Sequence, residues 1–272
     1  MLRIGITGGT GFVGERLVYR HLQEGDTVRV LSRRVKKDIP FQTAVQIFTG
    51  DISTKNKTLV SFVEGLDILY HCAGEIIHPD RMASVNENGT RNLCMAASGK
   101  IGHWVQLSSV GVYRPHSDGV VTEEASLKPR GLYETTKAMS DAIVIRAGEK
   151  RSFTYTILRP TGIFSPSMRN QSLFHLIAMI DKGFFFFIGK QGAMMNYIHV
   201  DNVIEGLLKC GQMPSSRHHI YNLSDSRTIE EFVKIITDDL NKPFPRLRLP
   251  KTLMQLSAAI GRMLPSFPLT VS

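Results

Sequence analysis

A chain of 272 residues with 42% hydrophobic and 21% charged side chains can bury a substantial core, which excludes a disordered, fibrous or low-complexity polypeptide. Its formal charge of +9 permits a phosphorylated ligand, but the basic residues are scattered and no aromatic-interleaved basic stretch occurs, so neither nucleic acid nor membrane is an expected partner. Cys72, Cys94 and Cys210 form no CxxC pair, suit a reducing cytoplasm and suggest no metal site.

In chain order, residues 2–7 read as an apolar strand that starts at once and leaves no room for a cleavable targeting segment. Further strands are expected at 27–31, 45–48, 67–72, 103–107 and 154–158, with helical periodicity at 12–23, 82–97 and 134–147. Strands that alternate with helices make βαβ units, and right-handed crossovers turn these into a parallel sheet covered on both faces. The expected fold is therefore α/β, a doubly wound parallel Rossmann sheet over residues 1–164, to which about 196–225 contributes.

After Arg159 and Pro160 the alternation weakens. Residues 165–195, rich in Gly, Pro and Phe, read as loops of a small substrate lobe that residues 226–272 complete. A strand at 197–200, a helix at 202–210, a strand at 219–223 and a helix at 229–240 are expected between and beyond them. An amphipathic stretch at 252–264 reads as packing on its own lobe, with a dimer or membrane-surface contact as alternatives. The longest purely apolar run, 184–188, is far short of the roughly 20 residues that span a bilayer.

Between the first strand and the first helix lies Gly5-Ile6-Thr7-Gly8-Gly9-Thr10-Gly11-Phe12-Val13-Gly14. Glycines in this position permit a tight turn, let backbone approach a pyrophosphate and allow close helix packing, while the helix N-terminus faces the phosphate charge. Gly8, Thr10, Gly11, Phe12, Val13 and Gly14 are thus candidates for holding a dinucleotide. At the end of the second strand a carboxylate would bind the free ribose 2'-hydroxyl of NAD, but the run here is Ser32-Arg33-Arg34. A hydroxyl and two guanidinium groups suit a 2'-phosphate, so NADP is the preferred cofactor, with NAD the alternative if the arginines are merely solvated. Arg29, Lys36 and Lys37 extend this basic cluster.

Tyr133 and Lys137 stand at i and i+4 near the start of a helix and so share one face. An ammonium beside a phenol favours phenolate and equips the pair for general acid/base chemistry on an alcohol or ketone. The spacing is common by chance and gains meaning from Ser108-Ser109-Val110-Gly111-Val112-Tyr113 at the end of a buried strand, where Ser109 can hydrogen-bond the reacting oxygen.

In this order the motifs resemble the extended short-chain dehydrogenase/reductase family, the group that includes NAD-dependent sugar epimerases and dehydratases. The resemblance runs through Thr7–Gly14 (TGGTGFVG), Gly50-Asp51, HCAG at 71–74, NENGTRNL at 86–93, SSVGVY at 108–113, YETTK at 133–137, LRPTGIF at 158–164 and NYIHVDN at 196–202. It implies a catalytic triad of Ser109, Tyr133 and Lys137. It also implies Asp51 and Ile52 near the adenine, Ala73 and Gly74 along the cofactor, Asn86 near the nicotinamide end, Lys137 on the ribose, and Pro160, Thr161 and Gly162 lining the nicotinamide. A homodimer through two helices flanking the tyrosine is implied as well. Sugar-nucleotide members generally carry an arginine two residues before the aromatic of the YIHV-like strand; here that residue is Met195, so the diphosphate clamp is missing. Members also usually continue for several elements beyond a segment like 265–270.

The leading expectation is an NADP-dependent oxidoreductase or epimerase acting on a secondary alcohol or ketone of a sugar, possibly a nucleotide-linked one. A reductase of a more apolar alcohol, resembling the hydroxysteroid and dihydroflavonol branches, is the enzymatic alternative; Met194, Met195 and the phenylalanines at 184–187 favour it. A non-catalytic dinucleotide sensor or RNA-binding protein is the alternative from another class, against which the intact Ser109, Tyr133 and Lys137 set stands.

Overall fold

The structure, a computed structural model, describes residues 1–34, 39–113, 119–150, 152–168 and 172–252. In chain order its strands are β1 (Arg3–Thr7), β2 (Thr27–Ser32), β3 (Gln46–Thr49), β4 (Leu66–His71), β5 (Ile101–Leu107), β6 (Thr154–Pro160), β7 (Gly162–Phe164), β8 (Phe187–Ile188), β9 (Met194–His199), β10 (His219–Leu223), β11 (Asp225–Thr228) and β12 (Arg248–Leu249). The α-helices are α1 (Gly14–Gln23), α2 (Lys57–Val63), α3 (Pro79–Met82), α4 (Thr90–Ala97), α5 (Leu132–Glu149), α6 (Ser172–Asp181), α7 (Val200–Gln212) and α8 (Ile229–Asp239). Two compact units divide the chain, Met1–Ser167 with Tyr197–Ser224, and Met168–Asn196 with Asp225–Ser272.

The larger unit is built on a parallel sheet in the order β3-β2-β1-β4-β5-β6-β10. Alternation along its strands sends side chains to two separate cores, because successive residues of a strand face opposite sides. Ile4, Ile6, Val28, Val30, Tyr70, Val105 and Leu158 meet Leu17 and Val18 of α1 and Val203 and Leu207 of α7 on one face. Leu69, Trp104 and Ile157 meet Phe62 of α2, Leu93 of α4 and Val144 of α5 on the other. Both faces are dry, which is why these strands read as near-continuous apolar runs. The strand order reverses between β1 and β4, and in open sheets of this kind ligands bind beyond the carboxyl ends of the strands at that point.

Two expectations need correction. The helix expected at 82–97 is not continuous: α3 leads into a π-helical turn, Ala83–Gly89, before α4 begins. Periodicity cannot register the extra residue of such a turn, which is stabilised by tertiary bonds of Asn86 described below. Residues 165–195, expected as loops, contain α6 and β8. The α6 sequence SLFHLIAMID is apolar almost all round, so it lacks the two-faced pattern by which an amphipathic helix is recognised. The basic residues Lys36 and Lys37, and nearly all of the amphipathic stretch at 252–264, lie outside the described residues.

In the smaller unit, α6 and α8 enclose Ile180, Phe187 and Val233. Thr228 and Glu231 form a reciprocal capping box at the start of α8. Arg248 pairs with Glu230 and lies over the Phe187 ring, 4.6 Å from its centroid. No helix among the described residues is long and apolar enough to cross a membrane.

Leu17, fully buried where α1 meets β1 and β2, tests the first core. Leu17→Ala should cost about 2–5 kcal/mol. Urea unfolding followed by the fluorescence of the single tryptophan, Trp104, should show a lower midpoint with an unchanged slope.

Candidate active site

Gly8 leaves β1 in the left-handed region, at φ 69°, and its backbone lies so close to the end of β4 that a Cβ would stand 2.7 Å from the Ala73 nitrogen. Gly11 N–H donates to Gly8 O (2.9 Å) and closes the turn. A Cβ on Gly14 would lie 2.2 Å from Gly8 O, so the first residue of α1 can only be glycine if the loop keeps this shape. Val13, the N-cap of α1, offers no side-chain acceptor, and of the first amides Glu15 N–H donates to Gly11 O (3.0 Å), so the helix start closes on the loop's own backbone. Thr10 is partly exposed on this loop, while Phe12 is held by Arg16, which donates to its carbonyl (3.0 Å) and lies over its ring. Arg16 also donates to Ser167 Oγ (2.8 Å), a link the sequence reading missed.

At the end of β2, Ser32 is buried and its Oγ accepts from Arg34 N–H (3.0 Å); Arg33 and Arg34 are exposed. Arg29, grouped with them by sequence proximity, does not belong there: it donates to the carbonyls of Phe62 and Glu64 near the opposite end of the strand. Asp51 caps its own turn through Ser53 N–H (2.8 Å), and Ile52 is buried against Gly89, its carbonyl accepting from Asn92.

The π-helical turn places Asn86 in a fully internal role. Its amide bonds both Glu75 N–H (2.7 Å) and Glu75 O (3.0 Å), and donates to Thr136 Oγ1 (3.0 Å) in α5. This clamps the segment of Ala73 and Gly74 to the helix that carries Tyr133 and Lys137. A second buried chain runs from Thr7 through His71 (2.6 Å) and Thr90 (3.0 Å) to Ser140 (2.8 Å) of α5. Burial, and secondarily Lys137, pushes the His71 ring down to about 3, so it serves as a neutral link.

Lys137 is buried, and its ammonium donates to Leu107 O (2.6 Å) at the end of β5. Two residues on, Ser109 Oγ accepts from Gly111 N–H (3.1 Å), which leaves its O–H free in geometry to donate outward. Tyr133 is half-buried one turn before Lys137; burial first, then the charges of Glu134 and Asp141, pushes its phenol up to about 12. The expected lowering by the lysine is therefore not built into the protein alone. Thr161 N–H bonds Leu223 O (2.9 Å), fixing the segment of Pro160, Thr161 and Gly162, while Thr161 Oγ1 is buried without a hydrogen-bond partner among the described residues.

Beneath these groups lies a wholly buried ion pair. Asp141 Oδ2 accepts from Arg159 Nε (3.1 Å), lies 3.0 Å from its Nη2 and also accepts from Ser108 Oγ (2.8 Å); Arg159 Nη1 donates to the Tyr113 hydroxyl (2.6 Å). Asp141 went unnamed in the sequence reading and Arg159 marked only the place where the alternation weakens, although an arginine within the apolar run of β6 demands a buried acid.

A scan against family models matches the NAD dependent epimerase/dehydratase family over residues 4–224. The chain belongs to that family. Curated relatives include "Short-chain dehydrogenase/reductase family 42E member 1" of Xenopus laevis, 26% identical over 93% of this chain and 72% of the relative. A "3-beta-hydroxysteroid dehydrogenase" of Mycolicibacterium neoaurum is 25% identical over 93% of this chain and 74% of the relative. Among solved structures, the UDP-glucuronic acid 4-epimerase of Bacillus cereus in complex with NAD superposes with a TM-score of 0.76 at 19% identity, covering 92% of this chain and 88% of that one. This chain is an enzyme of the extended short-chain dehydrogenase/reductase type and uses a nicotinamide dinucleotide. The residues present fit that cofactor: a cradle closed to any Cβ at Gly8 and Gly14, a helix N-terminus without a side-chain cap and a Thr161 hydroxyl unpartnered among the described residues.

Gly14→Ala forces backbone apart within the loop itself. Dinucleotide affinity should fall at least roughly tenfold, about 1.4 kcal/mol, in a fluorescence titration with NADH, while the thermal transition stays cooperative.

Proposed function

We propose that this enzyme moves a hydride between a nicotinamide dinucleotide and the carbinol carbon of a secondary alcohol, with Tyr133 as general acid and base. The observation that carries the reading is the Lys137 bond to Leu107 O, which ties the helix of Tyr133 to the strand end that presents Ser109. In alcohol oxidation, Ser109 donates to the substrate oxygen, Tyr133 as phenolate takes the hydroxyl proton, and a ketone forms as the C–H bond gives up its electron pair. The bound dinucleotide supplies the hydride acceptor and, when oxidised, a positive charge that favours the phenolate. Gly8, Gly11 and Gly14 with the α1 N-terminus hold its pyrophosphate; Asp51 and Ile52 lie toward the adenine, Ala73 and Gly74 along its length, and Pro160, Thr161 and Gly162 at the nicotinamide. Lys137 holds the ribose and its charge steadies Tyr133.

For the substrate, an apolar alcohol is the better-supported class. Ile76 and Ile77, which follow Gly74, and Leu132, which precedes Tyr133, are exposed apolar side chains, and Met195 stands where a diphosphate clamp would need arginine. Curated relatives named as hydroxysteroid and sterol dehydrogenases point the same way. A nucleotide-linked sugar is the second reading, favoured by the family's epimerases and by the likeness to a UDP-glucuronic acid 4-epimerase. NADP is the preferred cofactor, because Ser32, Arg33 and Arg34 offer a 2'-phosphate a hydroxyl and two cations. The enzyme is further proposed to act as a cytoplasmic homodimer, with Cys72, Cys94 and Cys210 as free thiols.

Tyr133→Phe should lower turnover of a hydroxysteroid or a nucleotide sugar by roughly 10²–10⁴-fold and leave dinucleotide affinity within a factor of two or so; undiminished turnover would exclude the phenol from the chemistry. The wild-type substrate profile decides between the two classes. In parallel titrations NADPH should bind more tightly than NADH, and Arg33→Ala should weaken NADPH alone by roughly tenfold; equal binding of both would reassign the cofactor to NAD.

A further inference from the structure

Lys137 is buried, and a buried ammonium needs a counter-charge. Its Nζ is satisfied by a carbonyl, which carries no charge. Of the acidic groups that act on it, Cys72, just after β4, is an uncharged thiol at neutral pH, because burial pushes it up to about 12. Asp141, the other one, is one turn further along the same face of α5 and fully buried. Burial holds its carboxyl above the usual carboxylate range, against the pull of Arg159 foremost and then of Lys137 and the Ser108 hydroxyl. The guanidinium cannot release its proton, and both its Nε and its Nη2 sit on Asp141 Oδ2, so the pair is ionic.

The remaining groups around the carboxylate are Tyr133 on α5, Ser108 and Tyr113 from the end of β5 and the turn after it, and Arg159 from β6, with His71 at the end of β4 and Cys72 just after it facing Lys137. Of these, His71 and Cys72 are neutral, and Arg159 is already committed to Asp141 and to Tyr113 OH. Asp141 Oδ1 has no hydrogen-bond partner among the described residues, so half of the carboxylate is not consumed by the network. The same carboxylate grips Ser108, which lies between the carbonyl that anchors Lys137 and the hydroxyl of Ser109.

We propose that Asp141 is a positioning residue for the reaction: clamped by Arg159, it supplies the counter-charge of Lys137 and, through Ser108, fixes the strand end that presents Ser109. It touches neither substrate nor cofactor and acts through the lysine. The proposal rests on the assignment of Tyr133 and Lys137 as the proton-handling pair.

Removing the charge at 141 lowers the pH at which Lys137 loses its proton and also eases ionisation of Tyr133, so both limbs of the pH profile for alcohol oxidation move to lower pH. Asp141→Asn leaves Arg159 buried and unpaired and is liable to unfold; Asp141→Asn/Arg159→Gln removes both charges and keeps polar side chains in place. The experiment follows Lys137 by carbon NMR in protein labelled at lysine Cε, the resonance being assigned with Lys137→Met, alongside turnover against pH. In the double variant, Lys137 should titrate roughly one unit or more lower than in the wild type, the profile should shift with it, and Asp141→Glu should retain the wild-type titration. A Lys137 titration and a pH profile that stay in place in the folded double variant, with turnover merely reduced, would overturn the proposal and leave the pair a structural brace. If the wild type turns over no alcohol or ketone, the functional reading fails separately, and the lysine titration still decides the electrostatic claim.

Discussion

All strands of the main sheet run in one direction, so every strand end that carries a candidate residue lies along a single edge of it. A parallel sheet must be covered on both faces, and here α1, α2, α4, α5 and α7 cover it from within the connections between its strands, the link from β2 to β3 holding no helix among the described residues. The return helices then start at the edge where the strands finish. Thr7 and Gly8, Ser32, Cys72 and Ala73, Ser108 and Ser109, and Pro160 come together because of that constraint, although more than 150 residues separate the first from the last.

The edge is held in register by polar groups that are themselves buried. Asn86 bonds both backbone groups of Glu75 and then reaches Thr136, so the loop after β4 is tied to the helix of Tyr133. The chain Thr7–His71–Thr90–Ser140 joins the start of the glycine loop to the middle of the same helix. In a low-dielectric interior each of these groups would be costly if left unpaired, which makes the arrangement specific rather than merely cohesive. The Asp141–Arg159 pair does the same with full charges and adds an electric field beside Lys137.

The division of labour between local and global information follows the range of the interaction. The glycine loop was legible because its constraints lie within a few residues: a left-handed Gly8, the Gly11–Gly8 turn and the lack of room at Gly14 all concern one short segment. Tyr133 and Lys137 were legible as neighbours because helical geometry alone puts them on one face. The role of Asn86 was not, since its partners lie 11 and 50 residues away. Nor was the separation of Arg29 from Arg33 and Arg34, because closeness in sequence along a strand becomes distance between its two ends.

By itself the sequence determined the doubly wound α/β class, the place of the glycine loop and the spacing of tyrosine and lysine, since period and short-range sterics specify these. Only the tertiary structure decided that β5, β6 and α5 converge on one buried ion pair, that the helix near Asn86 passes through a π turn, and that α6 occupies a stretch without amphipathic pattern. Those outcomes depend on which distant groups share a dry interior, and a charge or amide there must find its partner wherever packing brings one.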